Sequence, residues 1–347
     1  MAATSVFVIA EAGVNHNGDP ELACELVRAA AKAGADAVKF QTFKAEKLVA
    51  PGTAKAAYQE KNTGSGDQLG MLRSLELSEE SHRRLFALCA ECGIEFMSTP
   101  FDEESADFLV SLGMKRIKVP SGELTNHPFL AYLAAKRLPI ILSTGMADLE
   151  EIAESVDVIR RAWAQAGETR PVEELLSVLH CTSDYPAKLQ DVNLRAMRTI
   201  AERLALPVGY SDHTQGVLVS LGAVAMGACV IEKHFTLDKD LSGPDHKASL
   251  SLEELGEMVA SIRAMEVALG SPEKSATEAE RPVRALVRRS VVAVRPIAAG
   301  DPLSRQNVAL LRPGTGIPPS RFGDVLGRRA ARDVPAGQVL AWDDIAP

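Results

Sequence analysis

One pattern constrains the fold of this chain more than any other. Apolar runs of strand length recur, several straight after a helix-like stretch that stops at glycine, and polar residues gather where each run ends. The runs are "FVIAEAGVNHNG", "KAGADAVKFQTF", "ECGIEFMSTPFD", "SLGMKRIKVPSGE", "LPIILSTGM", "LLSVLHCTSDYP", "LPVGYSDHT" and "AMGACVIEKHFT". Glycine after a helix is the expected left-handed stop. Between the runs, stretches such as "PELACELVRAAAKAG" place apolar residues at helical spacing, with carboxylates near the start. Eight apolar strands alternating with helices predict a (β/α)8 (TIM) barrel, in the α/β class. A doubly wound open sheet is the rival, but it gives no reason for polar clusters at all eight strand ends.

The pattern ends near residue 270. Residues 1–270 are therefore read as the barrel and 271–287, charged and weakly periodic, as a linker. Residues 288–347, with short strands, A-G-D and A-G-Q turns and many prolines, read as a small β-rich domain. At that size a domain folds alone only marginally. The polar stretch "YQEKNTGSGDQLG", 58–70, interrupts the barrel as a lid or a surface loop. With a formal net charge of −8, nucleic acid is not an expected partner. No apolar run reaches bilayer length and no basic-flanked leader opens the chain, so a cytoplasmic protein is expected. The five scattered cysteines read as free thiols, and the Cys89/Cys92 pair lies late in a helix, away from a redox turn.

The chemistry of such a barrel sits at the C-terminal ends of its strands. Side chains two apart share a face, so Glu232 and His234 point inward together, with Lys233 outward; Ser211 and His213 likewise share a face. His213 and His234 end neighbouring strands, about 4.8 Å apart in the sheet direction. Two imidazoles at that spacing can share a divalent metal, with water and substrate oxygens as further ligands. Lys39 and Lys118 end apolar runs and would bind an anion as point charges. Hydroxyls at Thr99, Ser121, Ser143 and Ser211 would complete a cradle for phosphate and carboxylate; the plainer alternative is Ser and Thr capping the next helices. Glu11 and Glu123 are expected to face the cavity as general acid or base, or as ion-pair partners of the lysines.

The motifs "IAEAGVNHNGD", "VKFQTF", "STPFD", "KVPSGELTN", "LHCTSDYPA", "GYSDHT", "IEKHFTLD" and "GPDHKASL" resemble the sialic acid synthase family. The tail "RRSVVAV…LRPGTGI…VLGRRAARDVPAGQVL" is similar to that family's C-terminal antifreeze-like (SAF) domain. The resemblance implies condensation of phosphoenolpyruvate (PEP) with N-acetylmannosamine or a close derivative, releasing phosphate and a nine-carbon 2-keto acid. It implies a divalent metal (Mn²⁺, with Mg²⁺ or Co²⁺ as alternatives) on His213 and His234. Lys39, Thr99, Lys118, Ser121, Ser143 and Ser211 match PEP-binding positions. Ser183 falls where some members carry Asn. Gln41, Tyr185 and Asp245 match sugar contacts, and Glu11 and Glu123 match the carboxylates near the reacting atoms. Arg312 matches an SAF arginine that serves the sugar site of the other subunit in a domain-swapped homodimer. Glu232 is expected to orient a group that holds the metal.

Other readings remain at this stage. Legionaminic acid synthase uses the same chemistry on 2,4-diacetamido-2,4,6-trideoxymannose. A Schiff-base aldolase would use Lys39 or Lys118 as nucleophile. A metal-dependent amidohydrolase would want H-x-H on strand one, where this chain has "NHN". A non-catalytic carbohydrate-binding protein would rely on the tail alone.

Overall fold

A computed structural model describes residues 5–346. The chain divides into two compact units, Met1–Gly270 and Ser271–Pro347.

The first unit holds the eight expected strands: β1 (Phe7–Gly13), β2 (Ala37–Thr42), β3 (Glu95–Pro100), β4 (Ile117–Val119), β5 (Ile140–Ser143), β6 (Leu176–Cys181), β7 (Val208–Asp212) and β8 (Val230–His234). They are hydrogen-bonded in the order β3-β2-β1-β8-β7-β6-β5-β4, every paired neighbour parallel. β3 also packs beside β4, so the sheet curls into a near-closed TIM-like barrel with the helices outside. Helix ends follow the sequence signals. Asp19, Ser78, Asp102, Asp148 and Ser251 cap N-termini through their side chains. Gly93 and Gly113 end helices in the left-handed conformation.

Alternation along the strands separates a floor from a mouth. Ile9, Ala37, Met97, Ile141, Leu179 and Val230 form a buried apolar plug inside the barrel. Two residues further along the same strands come Glu11, Lys39, Thr99, Ser143, Cys181 and Glu232. Gly209 helps the plug close, because a Cβ there would lie 2.5 Å from the Val230 carbonyl oxygen and 2.6 Å from Leu179 Cδ2. The apolar floor keeps water from entering below, and the polar ring above it lines a cavity.

The second unit packs its own small core around Val291, Ile297, Leu303, Val308, Val325 and Leu340. Its sheet is an antiparallel pair, β9 (Ser290–Ala293) and β10 (Val308–Leu311). The stretch read as linker contains a helix, Glu280–Val287, started by Thr277, whose hydroxyl accepts from the Glu280 N–H. Its side chains are exposed, and Val283, Leu286 and Val287 recur at helical spacing, a periodicity that the linker reading passed over. Among the described residues, no helix is long and apolar enough to cross a membrane.

Candidate active site

The strand ends surround a cavity of about 530 Å³. At its base lie four charged side chains, each nearly inaccessible to solvent. Lys39 Nζ lies 2.7 Å from Glu11 Oε2 and 3.7 Å from Glu232 Oε2. Lys118 Nζ lies 3.3 Å from Glu232 Oε1. Lys39 also donates to Thr99 Oγ1 at 3.0 Å, and Ser211 Oγ donates to Glu232 Oε1 at 3.0 Å. Glu232 thus sits between the two lysines. Oε1 is taken by Lys118 and Ser211, and Oε2 is left without a hydrogen bond.

The two carboxylates are pushed in opposite directions. Burial raises the Glu11 carboxyl to about 7, against the opposing pull of Lys39. Burial also acts upward on Glu232, but Lys118 and Lys39 together outweigh it and hold that group down at about 2. Glu232 is therefore a fixed anion, while Glu11 can exchange a proton near neutrality. Burial depresses the Lys118 ammonium below its ordinary value, and Glu232 only partly offsets this.

Four buried polar atoms here have no hydrogen-bond partner: Glu11 Oε2, Ser143 Oγ, Glu232 Oε2 and His234 Nδ1. Orphaned groups in a closed core are costly, so their concentration in one cavity marks a place built to receive a polar ligand. Ser121, Ser183 and Cys181 converge where Gly145 makes room. A Cβ on Gly145 would lie 2.2 Å from Ser183 Oγ and 2.9 Å from Ser121 Oγ. The Gly145 N–H donates to Ser121 Oγ at 2.9 Å, and Cys181 Sγ lies 3.2 Å from the same oxygen.

The histidine pair stands above this base. The rings of His213 and His234 are 5.6 Å apart between centroids. His213 Nδ1 lies 2.7 Å from the Thr182 carbonyl oxygen, which only accepts, so that nitrogen carries the proton and Nε2 keeps its lone pair. Burial lowers both imidazoles, His234 well below its ordinary value with further help from His213 and Lys39. Two neutral imidazoles, one fixed by a backbone carbonyl and one lacking a partner, fit a two-histidine metal site. Among the described residues, no three His, Cys, Asp or Glu side chains have metal-holding geometry, so the remaining ligands would be water and substrate oxygens.

The expected site residues do not all meet. Glu11, Lys39, Gln41, Thr99, Lys118, Ser121, Ser143, Ser183, Tyr185, Ser211, His213 and His234 line the one cavity. Glu123 does not. It lies on the 3-10 turn Ser121–Glu123, where Oε2 accepts from Asn126 Nδ2 at 2.7 Å, which corrects its expected inward orientation. A helical turn replaces strand alternation directly after β4, so the carboxylate swings toward the next helix. Asp245 is buried without lining the cavity; burial raises its carboxyl to about 6, and its charge acts on Tyr58 and Tyr185. Arg312 follows β10 in the second unit.

Cys181 and Tyr58 line the cavity although sequence reasoning did not single them out. Cys181 had a signal, its inward parity with Leu179. Tyr58 had none, because it lies in the polar insertion. That stretch forms two helices, Ala57–Thr63 and Gln68–Arg73, and Tyr58, Gln59 and Gln68 border the mouth.

Comparison with known proteins agrees with this geometry. Residues 26–274 match the NeuB family, and residues 288–346 match the SAF domain. The chain is 54% identical to the N,N'-diacetyllegionaminic acid synthase of Legionella pneumophila subsp. pneumophila, over 98% of this chain and 94% of that protein. It is 34% identical to the N-acetylneuraminate-9-phosphate synthase of Homo sapiens, over 93% of this chain and 88% of that protein. Among solved structures, the N-acetylneuraminic acid synthetase of Leptospira borgpetersenii serovar Hardjo-bovis, in complex with citrate, superimposes with a TM-score of 0.69 at 31% identity, covering 80% of this chain and 90% of that one. A barrel whose mouth gathers two lysines, two carboxylates and two histidines, joined to near full-length similarity of this kind, makes the chain a member of the NeuB family, an enzyme of the nonulosonic acid synthase type with a C-terminal SAF domain.

Proposed function

We propose that this chain is an N,N'-diacetyllegionaminic acid synthase, condensing PEP with 2,4-diacetamido-2,4,6-trideoxymannose and releasing phosphate. The observation that carries the choice of sugar is the 54% identity to a legionaminic acid synthase against 34% to an N-acetylneuraminate-9-phosphate synthase. N-Acetylmannosamine, the sugar first expected from the motifs, gives way on that contrast.

The side chains support the reaction in a definite way. Lys39 and Lys118, with the hydroxyls of Thr99, Ser121, Ser143 and Ser211, hold the phosphate and carboxylate of PEP. Glu232, fixed as an anion between the lysines, keeps both ammonium groups aimed inward. His213 and His234 would hold a divalent cation, Mn²⁺, Mg²⁺ or Co²⁺, which when bound supplies Lewis-acid polarisation of the sugar aldehyde oxygen. PEP C3 forms the new bond to the aldehyde carbon with the electrons of its C2–C3 double bond, which leaves positive charge at C2 and turns the aldehyde oxygen into an alkoxide that takes up a proton. Glu11, with its pKa near neutrality, takes a proton from the water that adds to C2. The bond from C2 to the bridging oxygen then breaks, and phosphate leaves with that oxygen. Positioning of two bound reactants supplies much of the rate. Arg312 is assigned to the sugar site of a second copy in a homodimer, and a chain sedimenting only as a monomer would remove that assignment.

A side-by-side assay of phosphate release decides the sugar. Faster turnover of the diacetamido sugar than of N-acetylmannosamine is expected, and the reverse order defeats the assignment. PEP labelled with ¹⁸O at the bridging position should deliver its label to phosphate. Label retained in the keto acid, or a borohydride-trapped lysine adduct with full activity in EDTA, points instead to the Schiff-base aldolase.

A further inference from the structure

The helix Ala57–Thr63 has no buried residue, so core packing does not explain its place at the cavity mouth. Two contacts do. The Tyr58 ring stacks on Tyr185, with centroids 5.2 Å apart and planes 27° from parallel. Asn62 Nδ2 donates to the Pro244 carbonyl oxygen at 2.8 Å. Tyr185 packs in turn on His213, centroids 4.2 Å apart. An aromatic series therefore runs from the rim to the histidine pair.

The two ends of the cavity differ in chemistry. The base is charged and hydroxyl-rich. The rim on the insertion side sets the apolar side chains of Leu48, Val49, Leu72 and Phe101 and the Tyr58 ring beside the amides of Gln59 and Gln68. A sugar hydroxyl pressed against those apolar side chains would lose its water without gaining a partner, whereas a methyl group would lose nothing. The flat face of an acetamido group suits an aromatic ring.

We propose that Tyr58 is a specificity-determining residue: its ring, held by Tyr185, packs against the C6 methyl and C4 acetamido groups of a 2,4-diacylated 6-deoxy sugar, and the adjoining rim disfavours a C6 hydroxyl. This inference rests on the function proposed above. It assigns the insertion a task in reading the sugar and leaves PEP binding to the base.

Steady-state phosphate release by the full chain tests it, with both sugars, for wild type, Tyr58→Ala and Tyr58→Phe. The Tyr58→Ala variant should raise KM for the diacetamido sugar about tenfold and lower its preference over N-acetylmannosamine by a similar factor. KM for PEP and kcat should stay within about threefold, the pattern of lost sugar binding rather than lost chemistry. Tyr58→Phe, which keeps the ring, should behave as wild type. Because the helix buries nothing, the truncation leaves the barrel core intact. A wild type that prefers the diacetamido sugar, with a preference unchanged in Tyr58→Ala, overturns this inference alone. Parallel loss of kcat and PEP binding does the same. A wild type that prefers N-acetylmannosamine overturns both this inference and the proposed function.

Discussion

β7 and β8 carry two charged clusters, one on each face, and the clusters are built on opposite principles. On the outer face, Lys233 Nζ lies 2.9 Å from Asp212 Oδ2 and donates to the Thr214 carbonyl oxygen at 2.6 Å. Asp212 accepts further from the Thr214 N–H, Thr214 Oγ1 and Ser220 Oγ. That pair is sealed, with no orphaned oxygen on Asp212. One residue away along the same strands, the inner face holds Ser211, His213, Glu232 and His234. Here Glu232 Oε2 and His234 Nδ1 lack hydrogen-bond partners. Burial is similar on both sides, so burial does not separate a structural cluster from a functional one. Satisfaction does: the outer cluster is complete without a ligand, and the inner one is not.

Breaking the outer pair should produce the larger loss of stability. Lys233→Ala strands a buried aspartate, which costs about 3–5 kcal/mol. Thermal unfolding should then begin about 10 °C lower, and an unchanged melting temperature would show that the pair is not the structural element described here. Lys118→Ala on the inner face should act the other way. Phosphate release should fall about 10²–10³-fold, as when a single charge-stabilising donor is removed, while the melting temperature moves by no more than about 2 °C because Lys39 still faces Glu232. Equal destabilisation by the two substitutions would erase the contrast.

The smallest effect concerns pH. Burial raises the Glu11 carboxyl to about 7, so its basic form grows as pH rises through that value. The ratio kcat/KM for PEP should therefore climb about tenfold between pH 6 and pH 8. Glu11→Gln should remove that limb and leave a low, flat profile. A limb that survives the substitution belongs to another group and takes the base assignment from Glu11.

Much of this was legible in the chain. The eight apolar runs predict the barrel, period-two alternation picks out the inward residues at β7 and β8, and the polar residues that end the runs mark Glu11 and Lys39 at β1 and β2. The same logic failed after β4, where a 3-10 turn redirected Glu123, and it passed over Cys181, because a cysteine at an inward position reads as one more apolar residue. It was silent on the insertion, whose first helix, Ala57–Thr63, has no buried residue and whose second, Gln68–Arg73, buries only Leu69 and Met71.

The sequence by itself therefore determined which side chains could face the mouth, because strand geometry is local and repeats every two residues. Only the tertiary structure decided which of them touch: Lys118 with Glu232, Tyr58 with Tyr185, Asn62 with Pro244. Those pairs join positions 114, 127 and 182 residues apart in the chain. Such contacts depend on barrel closure and loop path, which no short window of residues encodes.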